Sequence, residues 1–296
     1  MNWGGPSAAL LADGRLHLQH GPIDLIIEAW GEREEVAAAY RQAALRFDDI
    51  LETLVQELPL LRTALSDAYP LLRGPVAQRM RAACWPHRSV YITPMAAVAG
   101  SVADEILASM VQGRALSKAY VNNGGDIALH LTPRASLTLG VVDDIDNPAI
   151  DAQVRLDAWM PVRGLATSGW RGRSQSLGIA DAATVFATDA ATADAAATMI
   201  ANAVNVEHHA ISRLSARNLR ADSDLGDLPV TVAVGILPAA VRARALEGGY
   251  ERALELQRRG LIYAAYLALQ CETRTVLPAS ILVDQRARRN AFTCRS

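Results

Sequence analysis

The chain has 296 residues, 51% of them hydrophobic but only 5% aromatic, and a formal net charge of −2. That length allows one large domain or two ordinary ones, with a core of Ala, Val, Leu and Ile rather than rings. The near-neutral charge excludes a general electrostatic pull toward nucleic acid or an anionic membrane, so neither is expected as a partner. Cys84, Cys271 and Cys294 share no CxxC spacing, which argues against a zinc site or a secreted disulfide framework and fits a reducing cytosol. Met1-Asn2-Trp3-Gly4 is no secretory start, and no stretch reaches the ~20 apolar residues of a membrane span. A cytoplasmic location is the expectation.

In chain order, Asp13-Gly14 signals a hairpin between strands over 8–12 and 15–20, with a third strand over 23–29. His17 and His20 fall on these strands and are expected to be exposed, since no third ligand lies near. Over 32–57, Val36, Tyr40, Phe47, Ile50, Leu51 and Leu54 keep a 3.6-residue period, which predicts one long helix ended by Pro59. Glu32, Glu34 and Glu35 suit its N-terminus. Pro70, Pro75 and Pro86 break the next stretch into short helices and turns, one of them over 75–84. Trp85 and His87 read as structural.

Tyr91-Ile92-Thr93-Pro94 should end a strand, before a helix that buries Met95, Val98, Val102, Ile106 and Met110. Gly100, inside that helix, costs ~1 kcal/mol relative to Ala, which suggests close packing or ligand approach. Strands over 119–121 and 126–131 flank the turn Asn122-Asn123-Gly124-Gly125. A double glycine leaves backbone N–H groups open to a phosphate or ring oxygen, although a plain hairpin turn explains it equally well. A strand over 137–142 leads to Asp143, Asp144 and Asp146, a solvated loop without the glycine and distal Glu of a calcium loop. A strand over 150–159 follows.

The stretch 163–204 is the richest chemically. Gly164-Leu165-Ala166 reads as the end of a buried strand, and Thr167-Ser168-Gly169 breaks it with a glycine that lets backbone approach a ligand. Arg171 and Arg173 alternate on extended backbone, so both can face one way and clamp a phosphate or carboxylate. After a strand over 183–187, a small-residue helix over 190–204 places Asp194 and Thr198 four apart on one face. A carboxylate and a hydroxyl so placed can share a hard cation or a phosphate-bound water. His208-His209 reads as surface loop. Further on come a strand over 229–235, a helix over 241–259 and a final core strand over 261–276. The tail from Pro278 carries Arg286, Arg288, Arg289 and Arg295 without interleaved aromatics, so it reads as solvated.

Together with YITPMAAVAGSVADEI and AYVNNGGDIALHL, the stretch 163–204 resembles the ApbE-like superfamily, whose best-known members are magnesium-dependent FAD:protein FMN transferases. More closely, it resembles the UPF0280 branch, from which no particular activity carries over. The resemblance covers roughly residues 8–270. It implies an α/β (α+β) fold: a two-lobed layered sandwich of mixed β-sheets and flanking helices, one domain over 8–277 with its cleft between lobes, and a basic tail over 278–296. It also implies that the turn at Asn122, Asn123, Gly124, Gly125 and Asp126 lines a nucleotide cleft. Where the superfamily reads AKGxxxD beside its metal, Gly100 and Asp104 keep the spacing, but Ala99 replaces the lysine. The transferases' H-x-x-D-P-x-T-G segment is missing; SQSLGIAD, with Ser174, Ser176 and Asp181, stands there instead, and the exported members' lipobox is absent.

The expected function is a metal-assisted enzyme acting on a nucleotide- or flavin-like cofactor such as FAD, or on a phosphorylated small molecule. Asp194 and Thr198 are the candidate Mg²⁺ ligands, and Asp194 and Asp126 the catalytic candidates. Asn122, Asn123, Gly124, Gly125, Thr167, Ser168, Gly169, Arg171, Arg173 and Ser174 are the candidate cofactor contacts. A non-catalytic flavin- or nucleotide-binding protein is the alternative, and FMN transfer to a protein threonine comes third. No motif singles out a general base among Tyr120, Asp126 and Asp181. The small-residue helix offers a close-packing face for a homodimer.

Overall fold

A computed structural model describes residues 4–141 and 152–278. The acidic loop at 143–148 and the basic tail beyond 278 lie outside the described residues. The chain divides into two compact units, one of Met1–Ser136, Asp157–Ala166 and Ala187–Ala195, the other of Leu137–Leu156, Thr167–Phe186 and Ala196–Ser296.

The first unit is built on an antiparallel meander: β1 (Ser7–Leu10), β2 (Leu16–His20), β3 (Ile23–Gly31), then, after the helices, β4 (Leu116–Asn123) and β5 (Asp126–Leu131). The Asp13-Gly14 hairpin forms as its sequence requires, with Gly14 at φ 86°. Alternation in β2 and β3 sends Leu16, Leu18, Ile23, Leu25 and Ile27 to one side, where they form the core with residues of the helices. The helices are α1 (Arg33–Phe47), α2 (Ile50–Leu61), α3 (Pro75–Cys84) and α4 (Val98–Val111). On the far side of β5, Leu165 and Gly164 pair with Ile127 and Ala128.

Four local expectations are corrected here. The long helix over 32–57 is two helices: it breaks at Asp48-Asp49, where Arg46 bonds the Asp49 carboxylate, and Phe47 and Ile50 are both buried on either side of the break. Pro59 does not end α2; the helix runs through it to Leu61 without the bond that a residue with an N–H would make to Val55 O. No strand ends at Tyr91–Pro94. Thr93 Oγ1 instead accepts from Met95 N at 3.2 Å and opens a 3-10 turn into α4. His20, expected outside, is buried edge-on against Phe47 with its Nε2 3.4 Å from Glu52.

α4 is the spine of this unit, packed on α1, α3, β4 and β5. The stretch Pro94–Val111 is long and apolar enough by composition alone to cross a membrane, with mean hydropathy 1.3 over 18 residues. Val102, Ala103, Ile106 and Met110 are nonetheless buried within the unit, so its apolar character is that of a core helix.

In chain order the remaining elements are β6 (Ser136–Val141), β7 (Ala152–Asp157), β8 (Gly164–Ser168), β9 (Ala182–Ala187), α5 (Ala190–Ala203), β10 (Ile211–Ser215), α6 (Ala216–Leu219), β11 (Pro229–Val234), α7 (Ala239–Arg258), β12 (Ala264–Leu269) and β13 (Glu272–Val276). In the second unit β12 pairs antiparallel with β9 on one side and β13 on the other, and α7 packs on β12 and β13. β6–β7 and β10–β11 form separate two-stranded pairs. The single strand expected over 261–276 is thus a hairpin. Its turn places Gln270 and Cys271 at φ 46° and 65°, a left-handed conformation that nothing in their side chains announces. The mixed α/β architecture, a large antiparallel sheet with flanking helices, is the fold class expected.

Candidate functional site

Three segments of the first unit converge at the N-terminus of α4. That helix has no side-chain cap of its own, because Ala97 occupies the capping position. Free N–H groups at a helix start need an acceptor. Here it comes from α5: Asp194 Oδ2 accepts from Gly100 N at 3.0 Å. The reverse also holds. Asp104, one turn along α4, accepts from Ala190 N at 3.0 Å and Ala191 N at 2.9 Å, the opening donors of α5. Each helix therefore caps the other with a carboxylate, in the arrangement the helix dipole favours. Asp189 completes the α5 start by accepting from Thr192 N at 2.7 Å.

Small residues make this approach possible. A Cβ on Gly100 would lie 2.2 Å from the Ala190 carbonyl oxygen, and one on Gly164 would lie 1.9 Å from the Asp189 carbonyl carbon. Ala190, Ala191 and Ala193 are buried alongside. The hairpin turn joins the same junction: Asn123 Nδ2 donates to Ala99 O at 3.1 Å. Asn122 Oδ1 accepts from Gly125 N at 2.9 Å, inside a turn whose glycines sit at φ 66° and 112°. Two hydrogen bonds on the adjacent residues Ala99 and Gly100 thus link the turn to Asp194. Asp126, at the start of β5, is buried.

The electrostatics of the junction are unusual. Burial pushes the Asp104 carboxyl up to about 6, against the pull of the Ala191 and Ala190 amides. Asp194 as a residue keeps some solvent contact. Its partial burial, opposed by the Gly100 and Ala99 amides and reinforced by the charge of Asp104, pushes its carboxyl up to about 7. Burial, with the Asp194 charge, also raises the Cys84 thiol well above its ordinary value. Ser101, directly after Gly100, is fully buried, and its hydroxyl has no hydrogen-bond partner among the described residues. Sequence reasoning gave Asp104 only a spacing and Cys84 no role; the unusual glycine inside α4 was the one local sign that something approached there.

The other predicted contacts belong to the second unit. Thr167 Oγ1 is 2.9 Å from Thr184 Oγ1. A Cβ on Gly169 would lie 2.3 Å from Asp181 O, so this glycine is required by close backbone packing. Asp181 accepts from Trp170 Nε1 at 3.0 Å, Arg171 Nε at 3.1 Å and Gln270 N at 2.6 Å. The Arg171 guanidinium lies over the Trp170 ring, 4.9 Å from its centroid. Arg171 is therefore already engaged by a carboxylate. Arg173 and Ser174 are exposed. Thr198 lies one turn after Asp194 on α5. Among the described residues, no group of three or more His, Cys, Asp or Glu side chains is placed to hold a metal ion.

A family model described as AbpE bacteria matches residues 8–275. The chain belongs to this ApbE-like family. Its relatives include the UPF0280 protein of Methanopyrus kandleri, 34% identical over 180 residues, or 60% of this chain and 69% of the relative. The UPF0280 proteins of Methanococcoides burtonii and Methanothermobacter thermautotrophicus are 40% and 38% identical over 124 and 133 residues. Those matches cover 42% and 45% of this chain and 51% and 50% of the relatives, so the chain spans about half the length of the first curated relatives it matches. Membership in the UPF0280 group of ApbE-like proteins follows. Among solved structures, the flavinyl transferase ApbE of Pseudomonas stutzeri is similar at 11% identity and a TM-score of 0.40, over 93% of this chain and 96% of that one. The ApbE protein of Thermotoga maritima is similar at 13% identity and a TM-score of 0.38, over 92% and 96%.

Proposed function

We propose that this ApbE-like chain is a metal-assisted enzyme acting on a flavin- or nucleotide-like cofactor, or on another phosphorylated small molecule. The observation that carries the reading is the Asp104–Asp194 pair: two carboxyls held with raised proton affinity at a helix junction, beside the 122–126 turn. Structural caps on a helix surface gain little from being buried together, and perturbed carboxyls cluster where chemistry needs them. The donor set fits a hard cation in part. Asp194, with Thr198 one turn on along α5, offers one carboxylate and one hydroxyl, and Mg²⁺ commonly takes only one or two carboxylates, filling its shell with water and phosphate oxygens. The enclosed negative charge of the pair also favours a cation, since no Lys or Arg is ion-paired with Asp194 among the described residues.

When bound, Mg²⁺ would neutralise a diphosphate and stabilise charge developing on a transferred phosphoryl group. The chain's own residues have separate tasks. Gly100 N–H and the α5 amides orient the two carboxylates. Asn123 fixes the turn against Ala99, which holds the Gly124-Gly125 backbone and Asp126 in one conformation. Asp194, with its proton affinity near neutrality, is suited to hold or release a proton as charge arrives beside it. Thr167, Ser168, Gly169, Arg173 and Ser174 are the cofactor contacts proposed in the second unit, with Arg171 oriented by Asp181. FMN transfer to a protein threonine ranks below a changed reaction, because Ala99 and the SQSLGIAD segment depart from the transferase pattern.

The test is thermal melting with FAD, FMN, ADP and ATP, each with and without Mg²⁺, followed by mass spectrometry of the small molecules. A site filled at a hundredfold over its Kd stabilises by about 2.7 kcal/mol. The expected result is a Mg²⁺-dependent shift with at least one nucleotide that vanishes in Asp194→Asn. A shift without product would favour the binding-only reading. No shift with any of the four would sink both.

A further inference from the structure

The first unit carries a hollow that shares no residue with the carboxylate pair. Its volume is about 500 Å³, and its lining includes Pro133, Arg134, Ala135, Asp157, Trp159 and Arg163. Three features set it apart from ordinary surface.

Trp159 is 63% exposed, yet the loop bearing it is braced. Arg163 Nη1 donates to Met160 O at 2.9 Å and Val162 O at 2.6 Å, and its Nη2 donates to Ala158 O at 2.8 Å. Ala158 N donates to Ala135 O at 3.1 Å, and Met160 N to Asp157 O at 3.0 Å. Met160 and Val162, just after Trp159 in the chain, are buried. A large apolar ring fixed in water, rather than tucked in, loses the hydrophobic gain of burial and keeps the ordering cost.

Arg134 adds the second feature. Its φ is 75°, a left-handed conformation that a side chain other than Gly, Asn or Asp rarely adopts. Ala135 N closes the turn onto Thr132 O at 2.9 Å. Glycine would serve this turn without strain, so an arginine here points to use of the side chain. The third feature is charge. Arg134 makes no ion pair among the described residues, and Arg163 spends its donors on carbonyl oxygens, which leave its charge uncancelled. Among the described residues, two guanidinium groups line the hollow against the one Asp157 carboxylate, which leaves that lining positive.

From the fixed ring, the strained cation and the positive lining, we propose that this hollow binds a planar aromatic anion, a ring carrying a carboxylate or phosphate group. The ring stacks on the open face of Trp159, and Arg134 meets the charge. A rigid aromatic wall with few polar anchors is the usual composition of a small-molecule pocket.

Equilibrium dialysis of the full chain against 2-naphthyl phosphate, 2-naphthoate, 2-naphthol and inorganic phosphate tests it. One equivalent of a naphthyl anion should bind saturably, and 2-naphthol and inorganic phosphate should bind at least roughly tenfold more weakly. Trp159→Ala and Arg134→Gly should each weaken the anion roughly tenfold, while Trp159→Phe should hold it within about threefold. Melting separates a ligand role from a structural one: Arg134→Gly should melt at or above the wild-type temperature while losing the ligand. The proposal is overturned if neither naphthyl anion binds at millimolar concentration, if Trp159→Ala binds unchanged, or if inorganic phosphate alone competes equally. A lower melting temperature in Arg134→Gly would make that arginine structural and overturn it as well.

Discussion

Replacing Gly100 with alanine is expected to destabilise the protein by about 3 kcal/mol. In an exposed helix interior the same change gains up to ~1 kcal/mol, because alanine is the better helix former. The sign reverses here because the new methyl carbon would lie 2.2 Å from Ala190 O, 2.5 Å from Ala190 C and 2.8 Å from Ala191 N. All three are backbone atoms, so no flexible side chain can swing aside. The start of α5 has to move, and with it go the bonds from Ala190 N and Ala191 N to Asp104 and from Gly100 N to Asp194. Steric relief is thus bought with the caps of two helices. Denaturant unfolding should show a lower midpoint with an unchanged slope, the mark of lost stability rather than a changed unfolded state. A midpoint equal to or above wild type would mean that α4 and α5 do not approach as closely as described.

The same junction shows what the sequence disclosed and what it withheld. Local signals carried well: Asp13-Gly14 and Asn122 to Gly125 each made the hairpin their turn chemistry requires, and Pro75 opens α3 where its fixed φ suits a first helical turn. The periodicity of α4 placed Val102, Ile106 and Met110 in the core correctly. Failures came where a long-range contact decided the outcome. The period over 32–57 runs through Asp48-Asp49 unbroken, and only the backbone at Asp49, with φ −111° and ψ 2°, marks the break. His20, with no third ligand near it in sequence, is expected outside, but its ring packs on a phenylalanine 27 positions along the chain. The Asp194–Gly100 bond spans 94 positions and the Asp104–Ala190 bond 86, so no window of sequence contains either. Gly100 gave the only hint, as a residue that weakens its own helix without a local reason. Arg171 was legible as a cation near a glycine turn; its partner Asp181, ten residues on, was not.

Stability is expected to fall by at least about 3 kcal/mol between pH 4 and pH 8 on account of the Asp104–Asp194 pair. The sign follows from the direction of the shifts. In the unfolded chain both groups titrate near 3.8; folded, Asp104 is raised to about 6 and Asp194 to about 7. The folded protein therefore binds more protons than the unfolded chain across that window. Their contribution is complete below about 3.8 and is lost as pH rises through 6 and 7. Asp104 alone accounts for about two pKa units, each worth 1.36 kcal/mol, and because the two carboxyls repel each other their contributions do not simply add. Asp104→Asn removes one titrating group while its amide oxygen can still accept from Ala190 N or Ala191 N. At pH 5 the variant should melt at or below wild type, since one of two acceptors is gone. At pH 8, where wild type carries the enclosed charge and the amide does not, the gap should close or reverse. Apart from Asp194, whose rise the Asp104 charge reinforces and the variant therefore relaxes, the titrating groups are common to both proteins and cancel in the difference. A variant whose melting temperature runs parallel to wild type across this range would show that Asp104 is as well solvated as a surface carboxylate, and the pair would then lose its claim to perturbed chemistry.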